Sequence, residues 1–282
     1  MHSDLESFVN LPYRLVATTD KYRSPWAYHS IVFEAIEDSL PATWQNFEIR
    51  CAQILEECGF QVEHGATIPH VRGSAAIDVT ARDAASPPTF IVVECKHWAS
   101  RVNQNVVSAF RTVVTDIGAN TGLIVSKSGF QRGARRAAGH TNLELLDWNE
   151  FQNMFITRWC DKFMFPKLND EAEELGNYSA HYGAFANRIR ATLTSKQQAE
   201  FDQLQSQFDL LTMTLLIIAS PVVGKEDVSK AWANLSGRVH MYLPSNLQNQ
   251  LLSVDSKAAR PLLEALTSIA KFAIGEFENV TR

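Results

Sequence analysis

A chain of 282 residues is long for one domain and comfortable for two, and a hydrophobic fraction of 45% is typical of a globular protein, not of a disordered one. The formal charge of −5 at pH 7 argues against a strongly basic protein that coats nucleic acid, so any contact with nucleic acid must come from a local basic patch. The four cysteines form no C-x-x-C pair and the N-terminus has no basic start or apolar core of a signal peptide, so we expect a reducing, cytoplasmic location without disulfides or zinc.

Residues 1–42 predict a helical lead-in. Ser24 and Pro25 are typical of a helix cap followed by the first helical position, and apolar residues then recur at helical spacing. The pattern predicts a helix from Pro25 to Ser39, which ends at the Leu40-Pro41 pair. We expect this helix to pack on the domain that follows.

Residues 43–59 predict a second helix, with Thr43 as its N-cap and Gly59 as its left-handed stop. Its apolar stripe consists of Phe47, Cys51, Ile54, Leu55 and Cys58. Glu48 lies on the edge of this stripe and faces inward. Two interpretations stay open for Glu48: a boundary carboxylate paired with an arginine, or an acidic member of a functional site.

Residues 60–74 predict a short strand and a loop, and residues 75–98 predict a hairpin whose two apolar strands are separated by a turn over residues 84–88. The hairpin contains three charged residues, Asp78, Glu94 and Lys96. A buried charge is costly unless it is paired or ligates a metal. Two carboxylates that converge from adjacent strands suit Mg²⁺, and a neighbouring lysine can orient water or stabilise charge on a phosphate.

Asp78, followed sixteen residues later by Glu94-Cys95-Lys96, resembles the PD-(D/E)xK nuclease superfamily, and the wider context is similar to its Mrr-type restriction endonuclease branch. The resemblance covers about residues 44–151. Its other elements are Phe47-Glu48 opening a helix, Cys58-Gly59-Phe60 closing it, Ile77-Asp78-Val79, Gly122–Ser126, and Ser128-Gly129-Phe130 before an Ala-rich basic helix. The proline that often precedes the aspartate is absent, and Ile77 stands in its place.

The resemblance implies a Mg²⁺ site, with Mn²⁺ as a substitute, in which Asp78, Glu94 and the Cys95 carbonyl hold the metal. It implies that Lys96 assists the attack of water, and that the helix of Glu48 supplies a further acid to the site. Gln104, near the start of the next predicted helix, is a candidate that would act through water or phosphate.

The remaining elements of this region follow in order. Apolar residues at helical spacing predict a helix that ends at Gly118, and residues 122–126 predict a strand parallel to the hairpin strand before it. A helix over residues 130–138 is then predicted, capped by Ser128, with Arg132, Arg135 and Arg136 close together. This cluster is either a phosphate-binding patch or a solvated basic face. A last strand over residues 143–146 and the segment 148–151 close the region.

These elements predict a mixed α/β sheet with helices on both sides, in agreement with the restriction-endonuclease-like fold that the resemblance implies. We expect this nuclease domain to span residues 43–152. Residues 153–282 lack strand patterns and predict an all-α domain, with helices at about 171–192, 195–219, 225–236, 245–253 and 257–279. The most apolar run, residues 210–219, is too short to span a bilayer, so no membrane association is expected.

Two classes of function compete. The first is a Mg²⁺-dependent DNA endonuclease, and the resemblance implies a role in restriction or defence against phage, with a homodimer cutting both strands. The second is a non-catalytic module on the same fold that binds nucleic acid or protein. Branched DNA and RNA are alternative substrates for the first class, because the fold does not choose between them. The C-terminal helices are expected to dimerise, select substrate or bind a protein partner.

Overall fold

The computed structural model describes residues 33–180, 183–220, 225–254 and 257–282. Five strands form one sheet: β1 (Gln61–His70), β2 (Gly73–Asp83), β3 (Thr89–Lys96), β4 (Thr121–Ser126) and β5 (Leu143–Asp147). The helices of this region are α1 (Trp44–Glu57), α2 (Gln104–Asp116), α3 (Arg132–Ala138) and α4 (Trp148–Trp159). The helices that follow are α5 (Phe165–Ser179), α6 (Ala184–Thr192), α7 (Ser195–Ala219), α8 (Lys225–Val239), α9 (Ser245–Ser253) and α10 (Ala259–Thr281).

The strands lie side by side in chain order. β1 pairs with β2, and β2 with β3, in antiparallel orientation, whereas β4 is parallel to β3 and β5 is parallel to β4. The predicted hairpin and the predicted parallel crossover are therefore confirmed. The crossover is made by α2, which connects β3 to β4 as a parallel connection requires.

The sheet separates two hydrophobic cores. The smaller core packs α2 and α3 against one face, through residues such as Val92, Phe110 and Ala134. The larger core packs α1 and α4 against the other face and continues without interruption into the C-terminal helices. The predicted apolar stripe of α1 is buried in this larger core, and Thr43 caps the helix as predicted. The chain is a mixed five-stranded sheet flanked by helices, followed by a helical C-terminal region.

The prediction of a lead-in helix from Pro25 to Ser39 is wrong where the structure describes it. Residues 25–32 lie outside the described residues, and residues 33–39 are not helical. This segment instead pairs with the chain before α10: Ala35 forms a parallel bridge with Ala258, and the amide of Arg260 donates to the carbonyl of Ile36 at 2.8 Å. Pairing with a segment more than 200 residues away cannot be anticipated from local periodicity, which explains the error.

The C-terminal half is helical as predicted, with some shifted bounds. α4 runs through a π-helical turn at Cys160–Met164 directly into α5, so the predicted boundary at residues 152–153 falls inside a continuous helical segment. The single helix predicted over residues 171–192 is two helices, α5 and α6. No helix among the described residues is both long enough and apolar enough to cross a membrane.

A buried ion-pair network, which we call the Arg260 clamp, connects the start of α10 to α1. It consists of Arg260, Glu37 and Glu57. The Arg260 guanidinium donates to Glu37 Oε1 at 2.7 Å and to both carboxylate oxygens of Glu57 at 2.9 and 2.5 Å. The three side chains are only 6%, 12% and 10% exposed, so each charge depends on its partners for the solvation that it has lost. Arg260 also lies 5.2 Å from the centre of the Trp159 ring.

Acidification should weaken the clamp through Glu57. Burial alone would raise the pKa of Glu57, but hydrogen bonds from Arg260 and Trp159 outweigh it and hold that pKa below the ordinary value of 4.5. A carboxyl group whose pKa is lower in the folded state than in the unfolded state stabilises the protein at pH values above its unfolded-state pKa. This stabilisation is lost as the pH falls through the folded-state pKa. We therefore expect the difference in free energy of unfolding between wild type and Glu57→Gln to be constant near neutral pH. It should shrink below about pH 4.5 in urea titrations, whereas a difference independent of pH would contradict this assignment.

Candidate active site

The site forms where the backbone of β2 changes direction at Asp78. Val79 belongs to the larger core, whereas Ile77 belongs to the smaller core. Residues two apart on a regular strand face the same side, so the strand must twist between them. Opposite Asp78 on β1 stands Gly65, whose φ of 72° lies in the left-handed region that glycine adopts without strain. This twist leaves the Asp78 carboxylate half-buried at the edge of a gap in the sheet.

The gap exists because β2 and β3 pair only as far as the Val79–Val93 position. Beyond that point β3 continues alone beside β4. The backbone amide of Cys95 donates to Asp78 Oδ2 at 2.7 Å, so the aspartate side chain takes the place of a main-chain partner. This hydrogen bond fixes the Asp78 carboxylate against the end of β3.

Glu94 and Lys96 follow on β3 and form an ion pair through Glu94 Oε1 and Lys96 Nζ. Their side chains are 21% and 15% exposed. The intervening Cys95 points to the opposite face, where its buried thiol contacts Cys51 and has a pKa raised well above its ordinary value, first by that hydrogen bond and then by burial. Only the backbone carbonyl of Cys95 is therefore suited to bind a cation.

Glu48 approaches the same site from α1. Its Oε2 lies 3.3 Å from Nε2 of His64 on β1, so the partner expected by the first interpretation of Glu48 is a histidine and not an arginine. The second interpretation, an acidic member of a functional site, stays a prediction. His64 lies within residues 60–74, for which the sequence predicts a short strand and a loop. Its position opposite Val79, one residue from the twist, is a signal that only strand pairing reveals.

A cleft of about 310 Å³ connects these groups. Trp44, Glu48, Asp78, Cys95, Lys96, His97 and Trp98 line it. Glu94 lies on the far side of Lys96, in a neighbouring groove lined by α2. Lys96 borders both spaces and thus connects the Asp78 side of the site to Glu94.

Three carboxylates lie near Lys96, and the pKa values of two of them, Glu94 and Glu48, are raised. Burial raises the pKa of Glu94 above 4.5, and the nearby negative charges of Asp78 and Glu48 add to that effect, against the opposing effect of Lys96. Burial and then Asp78 also raise the pKa of Glu48, against the effects of His64 and Lys96. The site therefore holds more negative than positive charge, and a divalent cation would relieve this repulsion.

The donor set fits a hard divalent cation only in part. Among the described residues, no three His, Cys, Asp or Glu side chains are grouped closely enough to hold a metal by themselves. Mg²⁺ does not need such a cage, because it is commonly bound by one or two carboxylates together with waters and substrate phosphates. Asp78, Glu94 and the Cys95 carbonyl can supply such an incomplete set.

Two predicted site residues on the neighbouring elements, Gln104 and Ser128, do not line the cleft. Gln104 is exposed at the start of α2 and faces Gly133 of α3, and it is not among the residues that line the cleft. Ser128 does not cap a helix: its hydroxyl donates to the carbonyl of Trp98 at 2.6 Å, and α3 begins only at Arg132. The capping prediction is wrong because Phe130 is buried and pairs with Val102, which delays the helix.

The three arginines of the predicted phosphate-binding patch, Arg132, Arg135 and Arg136, are all exposed on α3. Arg135 lies 5.6 Å from the centre of the Phe130 ring. The contact between Ser128 and Trp98 places the loop before α3 beside the end of β3. The basic surface that these arginines form on α3 therefore comes directly after the loop that borders the cleft.

A mixed five-stranded sheet with helices on both faces, and with Asp78 and Glu94-x-Lys96 on neighbouring strands, defines a restriction-endonuclease-like fold with the residue pattern of PD-(D/E)xK nucleases. Residues 40–155 match the family model Mrr_cat, which is described as a restriction endonuclease. Residues 40–155 are thus similar to Mrr-type restriction endonuclease domains, in agreement with the predicted resemblance of residues 44–151.

Solved structures of similar chains were also found. A protein of unknown function, AF1548, is 18% identical, with 57% of this chain and 95% of that chain covered and a TM-score of 0.35. The DNA modification-dependent restriction endonuclease AspBHI is 15% identical, with 43% and 36% covered and a TM-score of 0.25. The MspJI restriction endonuclease in complex with a 27-mer oligonucleotide is 14% identical, with 41% and 27% covered and a TM-score of 0.23. The chain thus spans less than half the length of either endonuclease, and no curated protein matches it.

Proposed function

We propose that this protein is a Mg²⁺-dependent endodeoxyribonuclease that hydrolyses phosphodiester bonds of foreign or modified DNA in restriction or defence against phage. The observation that carries the proposal is the Asp78 carboxylate, held by the Cys95 amide at the gap between β2 and β3, beside the Glu94–Lys96 pair. Burying three charged residues partly at a break in a sheet costs folding free energy, and such an arrangement is typical of a functional site.

In this proposal Asp78, Glu94 and the Cys95 carbonyl hold the cation, and Mn²⁺ substitutes for Mg²⁺. When bound, such a cation supplies Lewis acidity toward the phosphate and lowers the pKa of water. Lys96 lies between the two carboxylates, where its ammonium can orient the attacking water and stabilise the charge that grows on the phosphate oxygens. The new bond joins the water oxygen to phosphorus, and one phosphoester bond breaks.

Glu48 and Gln104 have supporting roles in the proposal. Glu48, with its raised pKa and its His64 partner, is suited to accept the proton that the attacking water loses. Gln104 would contact the DNA beside the cleft through water or phosphate, because it is exposed on the element next to α3. Cleavage of both strands requires two sites, so we propose a homodimer, with residues 153–282 as a domain for assembly or for a protein partner.

Arg132, Arg135 and Arg136 are proposed to bind the phosphates of the same DNA, with Ser128 positioned beside them. Each phosphate contact releases counterions, so replacing one arginine by Gln should weaken binding similarly for all sequences. The slope of log K against log salt should fall by about 1 for each replacement. Fluorescence anisotropy over a range of salt concentrations measures this slope, and Arg188→Gln on α6 is the control. An unchanged slope for all three replacements would assign the patch to a solvated face.

The function is tested by incubating supercoiled plasmid, methylated and unmethylated, with the purified protein in Mg²⁺, in Mn²⁺ and in EDTA. We expect nicked and linear products in either metal and none in EDTA. A difference between the two plasmids would identify selectivity for modification. If neither plasmid is cut in any metal while both are bound, the non-catalytic module is the better account.

A further inference from the structure

Tryptophan side chains mark the mouth of the candidate active site. Five tryptophans lie within the described residues, and three of them, Trp148, Trp159 and Trp232, are buried. The other two, Trp44 and Trp98, are 56% and 43% exposed, and both line the cleft that contains Asp78 and Lys96. Single exposed apolar residues are ordinary, but two large aromatic rings at one polar cleft form an apolar surface that water solvates poorly.

The position of each ring is set by the elements that build the site. Trp44 is the first residue of α1, one turn before Glu48. Trp98 follows Lys96 at the end of β3, where the Ser128 hydroxyl donates to its carbonyl, and Lys96 Nζ lies 5.2 Å from its ring centre. Both rings therefore border the space in which the scissile phosphate would lie according to the proposed function.

Charge limits what the occupant of this surface can be. The chain carries a net charge of −5, and two carboxylates, Glu48 and Asp78, line the cleft, so phosphate contacts alone would hold a paired duplex weakly there. An exposed indole face offers a different interaction, because every nucleobase has a flat face that can stack on it. Bases inside a perfect duplex are already stacked on each other, so only unpaired bases are available to these rings.

We propose that Trp44 and Trp98 stack on unpaired nucleobases next to the cleaved phosphate, so that the enzyme selects DNA whose strands are locally separated. This inference rests on the proposed function and deepens it by naming the state of the substrate. The two tryptophans act as positioning and specificity-determining residues, and the bond that breaks is still the phosphoester bond at the Asp78–Lys96 site.

The test compares three DNAs of one sequence, bound without cleavage in EDTA and measured by fluorescence anisotropy: a perfect duplex, a duplex with a central mismatched bubble, and a single strand. We expect the wild type to prefer the bubble and the single strand by about tenfold over the duplex, since stacking adds roughly that factor per base. Trp44→Ala and Trp98→Ala should lose most of this preference while duplex affinity changes less than about twofold. Trp98→Phe, which keeps an aromatic face, should retain much of it.

Phe185→Ala is the matched control, because Phe185 is an exposed aromatic residue of similar exposure, 44%, on α6. It should behave like the wild type. Equal affinity of the wild type for all three DNAs, or an equal loss on all three in the tryptophan variants, would overturn the inference. If the wild type still cuts plasmid in Mg²⁺, the proposed function survives that result; a protein that neither binds DNA nor cuts it contradicts both.

Discussion

Replacing Asp78 by Asn is expected to lower the single-turnover rate of DNA cleavage in Mg²⁺ by a factor of about 10² to 10³, the usual cost of removing one charge-stabilising group from an active site. Asn has the same shape as Asp, and its side-chain oxygen can still accept the hydrogen bond from the Cys95 amide. The substitution therefore removes charge without releasing the strand. Rapid-quench kinetics on a labelled duplex measures the rate, and circular dichroism checks that the fold is retained.

Lys96→Met should give a loss of similar size, because it keeps the aliphatic stem and removes the ammonium that lies beside Glu94. The control is Lys196→Met on α7, whose side chain is 89% exposed and whose loss changes the net charge by the same amount. We expect the control to cleave at the wild-type rate. Asp78→Asn or Lys96→Met cleaving as fast as the control would remove these residues from the catalytic site.

Arg260→Met is expected to lower the free energy of unfolding by about 3–5 kcal/mol, the cost of removing one partner from a buried ion pair. The variant removes Arg260 from the carboxylates of Glu37 and Glu57, which are 12% and 10% exposed, and leaves Glu37 only the longer pair with Arg50 at 3.7 Å. Because Glu57 ends α1, the helix that carries Glu48, the clamp also couples the C-terminal helices to the candidate active site. Urea denaturation followed by tryptophan fluorescence measures the effect.

The control for this prediction is Arg282→Met, at the other end of α10. Arg282 is 76% exposed and pairs with Glu278 across one helical turn, an arrangement that contributes less than about 1 kcal/mol. If Arg260→Met costs no more than Arg282→Met, the clamp makes no net contribution, and the contact between α10 and α1 rests on apolar packing alone.

Local patterns in the sequence predicted most of the nuclease-like domain. The apolar, β-branched runs of β3 and β4, and the Thr43 and Gly59 signals around α1, depend only on neighbours in the chain, and the structure has these elements where they were predicted. The sequence also predicted that Asp78 and Glu94-x-Lys96 lie on two adjacent strands, those of the hairpin. Sequence reasoning works here because each element is specified by its own residues.

The errors come from contacts between distant parts of the chain. The segment 33–36 is not helical because it pairs with residues 257–260, and its apolar residues would equally have suited a helix. His64 on β1, next to the left-handed Gly65, lies 3.3 Å from Glu48 on α1, a contact between two elements that neither local pattern shows. The predicted domain boundary falls inside a continuous helical segment because the buried faces of α4 and α5 belong to one core, which no local composition change reveals.

The central claim, a divalent cation held at the gap between β2 and β3, is tested most directly by placing a reactive ion there. Fe²⁺ with ascorbate and peroxide cuts a polypeptide next to a bound metal, and the cut positions can be read by mass spectrometry whether or not the enzyme is active. We predict cuts near Asp78 and near residues 94–96, suppressed by excess Mg²⁺ and absent in Asp78→Asn. Cuts elsewhere in the chain, or cuts that Mg²⁺ does not suppress, would contradict the proposed metal site.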